Sequence, residues 1–513
     1  MKQLMFLLAA LTTLSVRAAL PQPDLIAHIH FAGGNHISTD PDYSPFSNEF
    51  SSPEALALRR QTADKLTRWL VVWLQANLGT AVPDGATKLR PLFDDLQSLE
   101  WFLDARTAAD GKPDAAIAIR LSPERAQAWQ AALKPFFPTA TFRQSAGWLI
   151  FDSGTGSIKA GDLLAQSLST PPAGWLSVDL NWPRLAQWYP KLKNLDLPET
   201  KFDVTVADAN VHINGKFFFP KNLPSELPPW QFPSNTVHQP FISFTAVRGF
   251  AAWLNGQDWA QPVKMSPPAN QLFLWSMKGV PLQTLAAVPV TDAAATLRQL
   301  DAGLEPVVAD RNAHGGFLAP FTLDATNGLI TLLGAPLIAP FVRQITDFGR
   351  PFLLAGGFPN SFRNKNNPLP PELFTTLATP NLVFYHWEIT AERLPEQLNL
   401  NQLALMLTRH RQLNPRSAAY EWVANTCQTL GNTATEITQT APDQFTFTRT
   451  APGGFTAFEF LALANWLDAA DFPYCSLSLS PRPVHLKKLQ PQPTVHMNMS
   501  IHLNTNQAGG TIH

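Results

Sequence analysis

The sequence predicts an α+β protein built from repeated strand–helix–hairpin modules with largely antiparallel sheets. Three observations carry this. Short alternating runs are followed at once by a polar capping residue and a short helix, several times along the chain. Hairpin signals lie between these units. The order is strand, helix, hairpin instead of strict βαβα alternation, which disfavours a doubly wound parallel sheet or a TIM barrel.

The elements follow in order. In "DLIAHIHF" the side chains of Ile26, His28 and His30 fall on one side of a strand, and those of Leu25, Ala27, Ile29 and Phe31 on the other. "AGGNH" then reads as its turn. A long helix starts at Ser52, a good N-cap, with Pro53 at the first helical position and Glu54 at the positive end of the dipole. Leu66, Trp69, Leu70 and Trp73 give it an apolar face, and Gly79 ends it.

The strand–cap–helix unit first appears in "GKPDAAIAIRLSPERAQAWQAAL", where Ser122 caps and Trp129 and Leu133 face inward. It recurs in "GWLSVDLNWPRLAQW", with Asn181 at the cap and Arg184 and Trp188 matching Arg125 and Trp129. It recurs again in "NLVFYHWEITAERLPEQL", with Thr390 at the cap and Arg393 at the arginine position. A weaker copy, "PFISFTAVRGFAAWL", keeps Trp253 but has Ala246 where a capping side chain belongs. Trp69, Trp73, Trp129, Trp188, Trp253 and Trp466 are expected as core anchors on helices; Trp230 and Trp259 sit in Pro- and Gln-rich loops. Turns are expected at Ser145–Gly147 and at Asp208–Asn210. "EITQTAPDQFTFTRTAPGGFTAFEFLALANWL" reads as strand, turn, strand, turn, helix.

The chain has 38 Lys and Arg against 39 Asp and Glu, and 46 prolines. Residues 1–19 have the short positive start, apolar run and small residues of a signal peptide. Export to the periplasm or the extracellular space is therefore expected. Without Lys2 and Arg17, 36 basic residues remain, for a net charge of −3. Such a chain has no electrostatic reason to seek nucleic acid or an anionic membrane. "GLITLLGAPLIAPFV" is too short to span a bilayer, so no transmembrane segment is expected in the mature chain. Two α+β regions, 20–220 and 240–480, are expected either side of a Pro-rich connection at 221–239, with a flexible tail at 481–513.

The segments "LLAGGFPNS", "NLVFYHWEITAERL" and "GGFTAFEFLALANWL" resemble an uncharacterised family of large exported bacterial proteins, Verrucomicrobia-like, over most of the mature chain. The resemblance implies no activity and carries no functional residue over.

Candidate chemistry is sparse. His28 and His30 project to one side, and with His36 from the following turn they are candidate metal ligands, the spacing some metal-dependent hydrolases use. The competing expectation is an ordinary strand edge. Cys427 and Cys475 are a candidate disulfide, permitted by an exporting compartment. Arg125, Arg184 and Arg393 either line an anionic groove or brace their own modules. No nucleophile elbow, P-loop or HExxH occurs, and no cofactor is expected. The function expected first is a non-enzymatic binding or interaction scaffold, with an envelope protein or a glycan as possible partner. The alternatives are a metal-dependent hydrolase using His28 and His30, and a lipid- or glycan-binding protein with a concave apolar pocket.

Overall fold

The computed structural model describes residues 24–473, apart from 47–49, 79–81, 109–110, 112, 154–159, 169–173, 190–191, 193–195, 224–225, 238–239, 257–264, 279–282, 314–321, 327, 335–337, 360–370 and 409–416. The expected signal peptide, the 481–513 tail, Trp259 and Cys475 lie outside the described residues.

The first eight strands are β1 (Leu25–Phe31), β2 (Trp101–Thr107), β3 (Pro113–Arg120), β4 (Thr141–Ser145), β5 (Trp148–Asp152), β6 (Leu176–Asn181), β7 (Glu199–Ala207) and β8 (Asn210–Phe218). Ten more follow: β9 (Phe241–Arg248), β10 (Gln271–Met277), β11 (Thr284–Pro289), β12 (Thr322–Thr326), β13 (Leu329–Leu333), β14 (Phe341–Asp347), β15 (Arg350–Gly356), β16 (Leu382–Ile389), β17 (Asn432–Ala441) and β18 (Gln444–Ala451). All belong to one 18-stranded sheet. Its spatial order is β4-β5-β3-β2-β1-β6-β7-β8-β18-β17-β16-β9-β10-β11-β15-β14-β13-β12, and every pairing is antiparallel. The protein is therefore α+β with a large antiparallel sheet, as its strand–helix–hairpin order predicts. The regions 20–220 and 240–480 both contribute to it and meet where β8 pairs with β18.

The helices are α1 (Gly34–Thr39), α2 (Pro53–Leu78), α3 (Gly85–Ser98), α4 (Pro123–Leu133), α5 (Ala160–Ser167), α6 (Trp182–Trp188), α7 (Ala251–Asn255), α8 (Ala293–Ala313), α9 (Pro371–Leu377), α10 (Thr390–Thr408), α11 (Ala418–Thr426) and α12 (Ala457–Asp468). Their starts follow from local chemistry. Ser122 accepts a hydrogen bond from Arg125 N with Pro123 at the first position, and Asn181 accepts one from Arg184 N. Thr456 and Glu459 form a full capping box on α12.

Three local expectations are corrected. "AGGNH" is no simple turn, because α1 begins at Gly34. Gly33 enters it at φ 91°, so close to the Leu99 backbone that a Cβ would lie 2.5 Å from the Leu99 carbonyl carbon. Thr390 does not cap a helix from outside. It opens α10, and its hydroxyl donates to Glu388 Oε1 at 3.1 Å while meeting Thr433 Oγ1 at 2.7 Å. Trp253 is no core anchor: α7 is five residues long, buries none of them, and leaves Trp253 60% exposed.

The main core of the first half lies between one sheet face and α2, α3, α4 and α6. Ala27, Ile29, Leu103 and Val178 of the sheet meet Trp73, Leu89, Trp129 and Leu185. The opposite face of β2, β3 and β5 is covered by α5 through Ala160 and Leu164. The N-terminal part of α2 enters a second core with α10, α11 and α12, where Leu58 and Leu66 join Leu394, Trp422 and Phe460. One helix thus seals two cores, as the apolar periodicity of its sequence requires.

The Pro-rich connection is an ordered strap over the second half of the sheet. Trp230 and Phe232 pack on the core of Phe244, Phe273 and Phe352. The Arg248 guanidinium lies 4.5 Å over the Trp230 ring and donates to Pro228 O at 2.8 Å. Gln231 N donates to Gln271 Oε1 at 2.8 Å, and Thr236 Oγ1 to Asp347 Oδ2 at 2.7 Å. "GLITLLGAPLIAPFV" supplies β13 and the start of β14. Among the described residues, no helix is long and apolar enough to cross a membrane.

Candidate functional site

The alternation in β1 places His28 and His30 on one side, and β2 decides what they do there. Glu100, Phe102 and Asp104 present carboxylate, phenyl ring and carboxylate at the same period of two. His28 Nδ1 lies 2.5 Å from Asp104 Oδ1, and His30 Nε2 lies 3.1 Å from Glu100 Oε1. The His30 ring stacks on Phe102 with centroids 4.3 Å apart. Asp104 is also occupied on its other oxygen, which accepts from Arg106 Nε at 3.2 Å and Nη2 at 3.0 Å. Arg106 in turn reaches Asp24 at 3.1 Å. Each imidazole thus has its own carboxylate.

His36, the third candidate ligand, lies on exposed α1. Among the described residues, no group of three or more His, Cys, Asp or Glu is arranged to hold a metal. His212 is engaged by Thr450 Oγ1 and Ala207 O; His238 and His314 lie outside the described residues.

Burial, partly opposed by the hydrogen bond and charge of Glu100, holds the His30 pKa below its ordinary 6.5, and the charges of His28 and His36 lower it further. The folded protein therefore resists a proton that the unfolded chain accepts. The stability held above pH 6.5 is lost as pH falls through the lower folded value. Denaturant unfolding across a pH series is expected to show a flatter acid limb in His30→Gln than in the native chain. An unchanged slope would remove His30 from that dependence.

A second polar centre was not legible as a motif. Glu388 of β16 is buried and accepts from Ala457 N, the first residue of α12, at 2.6 Å and from Thr390 Oγ1 at 3.1 Å. Its other oxygen is 3.2 Å from His386 Nε2, whose Nδ1 meets Thr245 Oγ1 at 2.8 Å. Burial pushes the Glu388 carboxyl up. The His386 hydrogen bond and charge, with the Ala457 and Thr390 donors, outweigh it and hold the group below the usual glutamate range.

The three arginines of the recurring unit do not converge. Arg125 pairs with Asp95 of α3 and donates to Pro91 O at 3.3 Å. Arg184 donates to Leu25 O at 2.7 Å, and Arg393 lies 3.7 Å from Glu396. Each braces its own neighbourhood. Cys427 follows α11, donates its thiol to Ala424 O at 3.0 Å, and has its pKa pushed up by burial. Its proposed pairing with Cys475 lies outside the described residues.

Among the described residues, an apolar cavity of about 100 Å³ lies between α2, α3, α4 and the sheet. Trp73 and Leu74 of α2, Leu89 and Phe93 of α3, and Trp129 and Leu133 of α4 form its helical wall. Leu103, Ala115, Ile117 and Phe151 form the sheet wall. Ser153 is the one polar residue in the lining, and its hydroxyl donates to Ala115 O at 3.0 Å. Trp129 donates its Nε1–H to Asp95 Oδ2 at 2.8 Å, and Asp95 is not part of the lining. Native cores hold few voids larger than a water molecule. Sequence reading could not find the cavity, because every lining residue except Ser153 is also a good core residue.

No protein-family model matches the chain, and no curated protein matches it. Among solved structures, "Structure of crystal form I of TP0453" is similar at TM-score 0.20 and 10% identity, covering 46% of this chain and 98% of that one. A likeness at that score carries no argument.

Proposed function

We propose that the protein is an exported, non-catalytic binding protein that holds an apolar ligand in the cavity under α2, α3 and α4. The observation that carries this reading is a lining of hydrocarbon and aromatic side chains without a charged group. It favours an apolar ligand over a glycan, which would leave sugar hydroxyls without partners there. The hydrolase alternative draws no support from His28 and His30, since each is bound to a separate carboxylate. Export rests on the signal-like residues 1–19.

We also read the chain as an internal duplication. β1 pairs with β2 and β6 as β9 pairs with β10 and β16. β6, β7 and β8 then run inward as β16, β17 and β18 do, and the two runs meet at the β8–β18 pair. The cavity belongs to the first set, so one copy carries the site and the other extends the scaffold.

The test is titration of the mature protein with n-alkanols from butanol to dodecanol, followed by calorimetry. Saturable one-site binding of at least one member is expected, with loss in Ala115→Leu, which grows a side chain into the cavity. Absence of saturable binding by every alkanol of the series and by toluene would overturn the reading.

A further inference from the structure

We infer that the cavity takes a single uncharged ring, or a short alkyl group of similar size, and not an extended acyl chain. This rests on the binding reading above and names its ligand class. Size comes first. An engineered cavity of about 150 Å³ lined by Leu, Ile and Phe admits benzene. Pockets for drug-sized molecules run from roughly 300 Å³ upward. At about 100 Å³ this cavity lies below both, so one ring fills it, using the half-buried side for the remainder.

That half-buried side selects for aromatic shape. Phe151 sits there between two other phenyl rings, 5.3 Å from Phe137 at 71° and 5.3 Å from Phe142 at 53°. Rings at these distances and angles favour an additional ring edge-on or offset over a flexible chain. Trp73 and Trp129 add two more aromatic rings to the lining.

Chemistry excludes charge. The Ser153 hydroxyl proton is already donated to Ala115 O, and the Trp129 N–H to Asp95. A carboxylate, phosphate or ammonium entering the cavity would lose its water with no charged side chain in the lining to replace it. A polar substituent is therefore carried at the half-buried rim, beside Phe137 and Phe151.

The test measures binding of toluene and indole against dodecanol and palmitate, in the native protein, Ala115→Leu and Leu89→Ala. Toluene and indole are expected to raise the unfolding midpoint saturably, with at least about a tenfold loss of apparent affinity in Ala115→Leu. Leu89→Ala enlarges the deep wall and is expected to gain naphthalene binding, which separates a change of cavity size from loss of fold. If dodecanol or palmitate binds in a way that Ala115→Leu blocks while toluene and indole do not, the size class is wrong and the binding reading stands. If no probe binds, both fall together.

Discussion

Glu388→Ala is expected to destabilise the protein by about 3–5 kcal/mol, the range for removing one partner from a buried ionic group. One carboxylate holds three separate pieces together: the His386 ring on its own strand, the Thr390 hydroxyl at the start of α10, and the first N–H of α12. Alanine strands the Ala457 N–H, while Thr390 keeps Thr433 and His386 keeps Thr245, and an unsatisfied buried donor is costlier than the bond is worth when made. Glu388→Gln keeps the volume and an acceptor but not the charge, so a smaller loss is expected. The acid dependence separates the variants. The folded pKa lies below the ordinary 4.5, so the stabilisation is fully present above 4.5 and disappears as pH falls through the folded value. Glu388→Gln is expected to flatten that limb in a pH series of urea unfolding. An acid limb as steep as the native one would show that the carboxylate is not its source.

Asp104→Ala carries the second large effect, also about 3–5 kcal/mol. The buried carboxylate neutralises Arg106 through two nitrogens and holds His28 in place. Its removal leaves Arg106, with a 9% exposed side chain, paired with Asp24, whose own side chain is 41% exposed and better solvated. His28 is better placed to recover, since its side chain is 25% exposed and can find water. His28→Ala should therefore cost distinctly less than Asp104→Ala. The double variant should cost less than the two single losses added together, because they share one bond. Full additivity in denaturant midpoints would mean that the 2.5 Å contact contributes nothing to stability.

Local chemistry was legible; long-range pairing was not. α2 could be placed to within a residue at its start because Ser52, Pro53 and Glu54 mark it and the Trp periodicity continues it. The β7–β8 and β17–β18 hairpins announced themselves through alternation and turn residues. Nothing local says that Ile213 will face Arg449 across β8 and β18. The same limit governs the candidate site. The side shared by His28 and His30 follows from alternation alone. The spacing of Glu100 and Asp104 acquires meaning only once β2 lies beside β1, and that pairing turns a candidate ligand pair into two separate histidine–carboxylate contacts. Thr390 misled for a related reason: its sequence matches a cap, but a nearby buried carboxylate competes for its hydroxyl. The cavity is a difference between the volume that α2, α3 and α4 enclose and the volume their side chains fill. No pattern of residue types encodes that difference.

The strand order also sets a timetable. β8 and β9 are joined directly by the Pro-rich strap, yet β18, β17 and β16 stand between them in the sheet. Those three strands are made last. Until they arrive, the chain carries two raw β edges facing a gap, and the strap spans that gap before it is filled. A chain cut short before Leu382 keeps both edges open, each able to pair with a neighbouring chain. These three strands are thus a keystone: their insertion makes two half-sheets into one and removes the templates on which unfinished copies would aggregate.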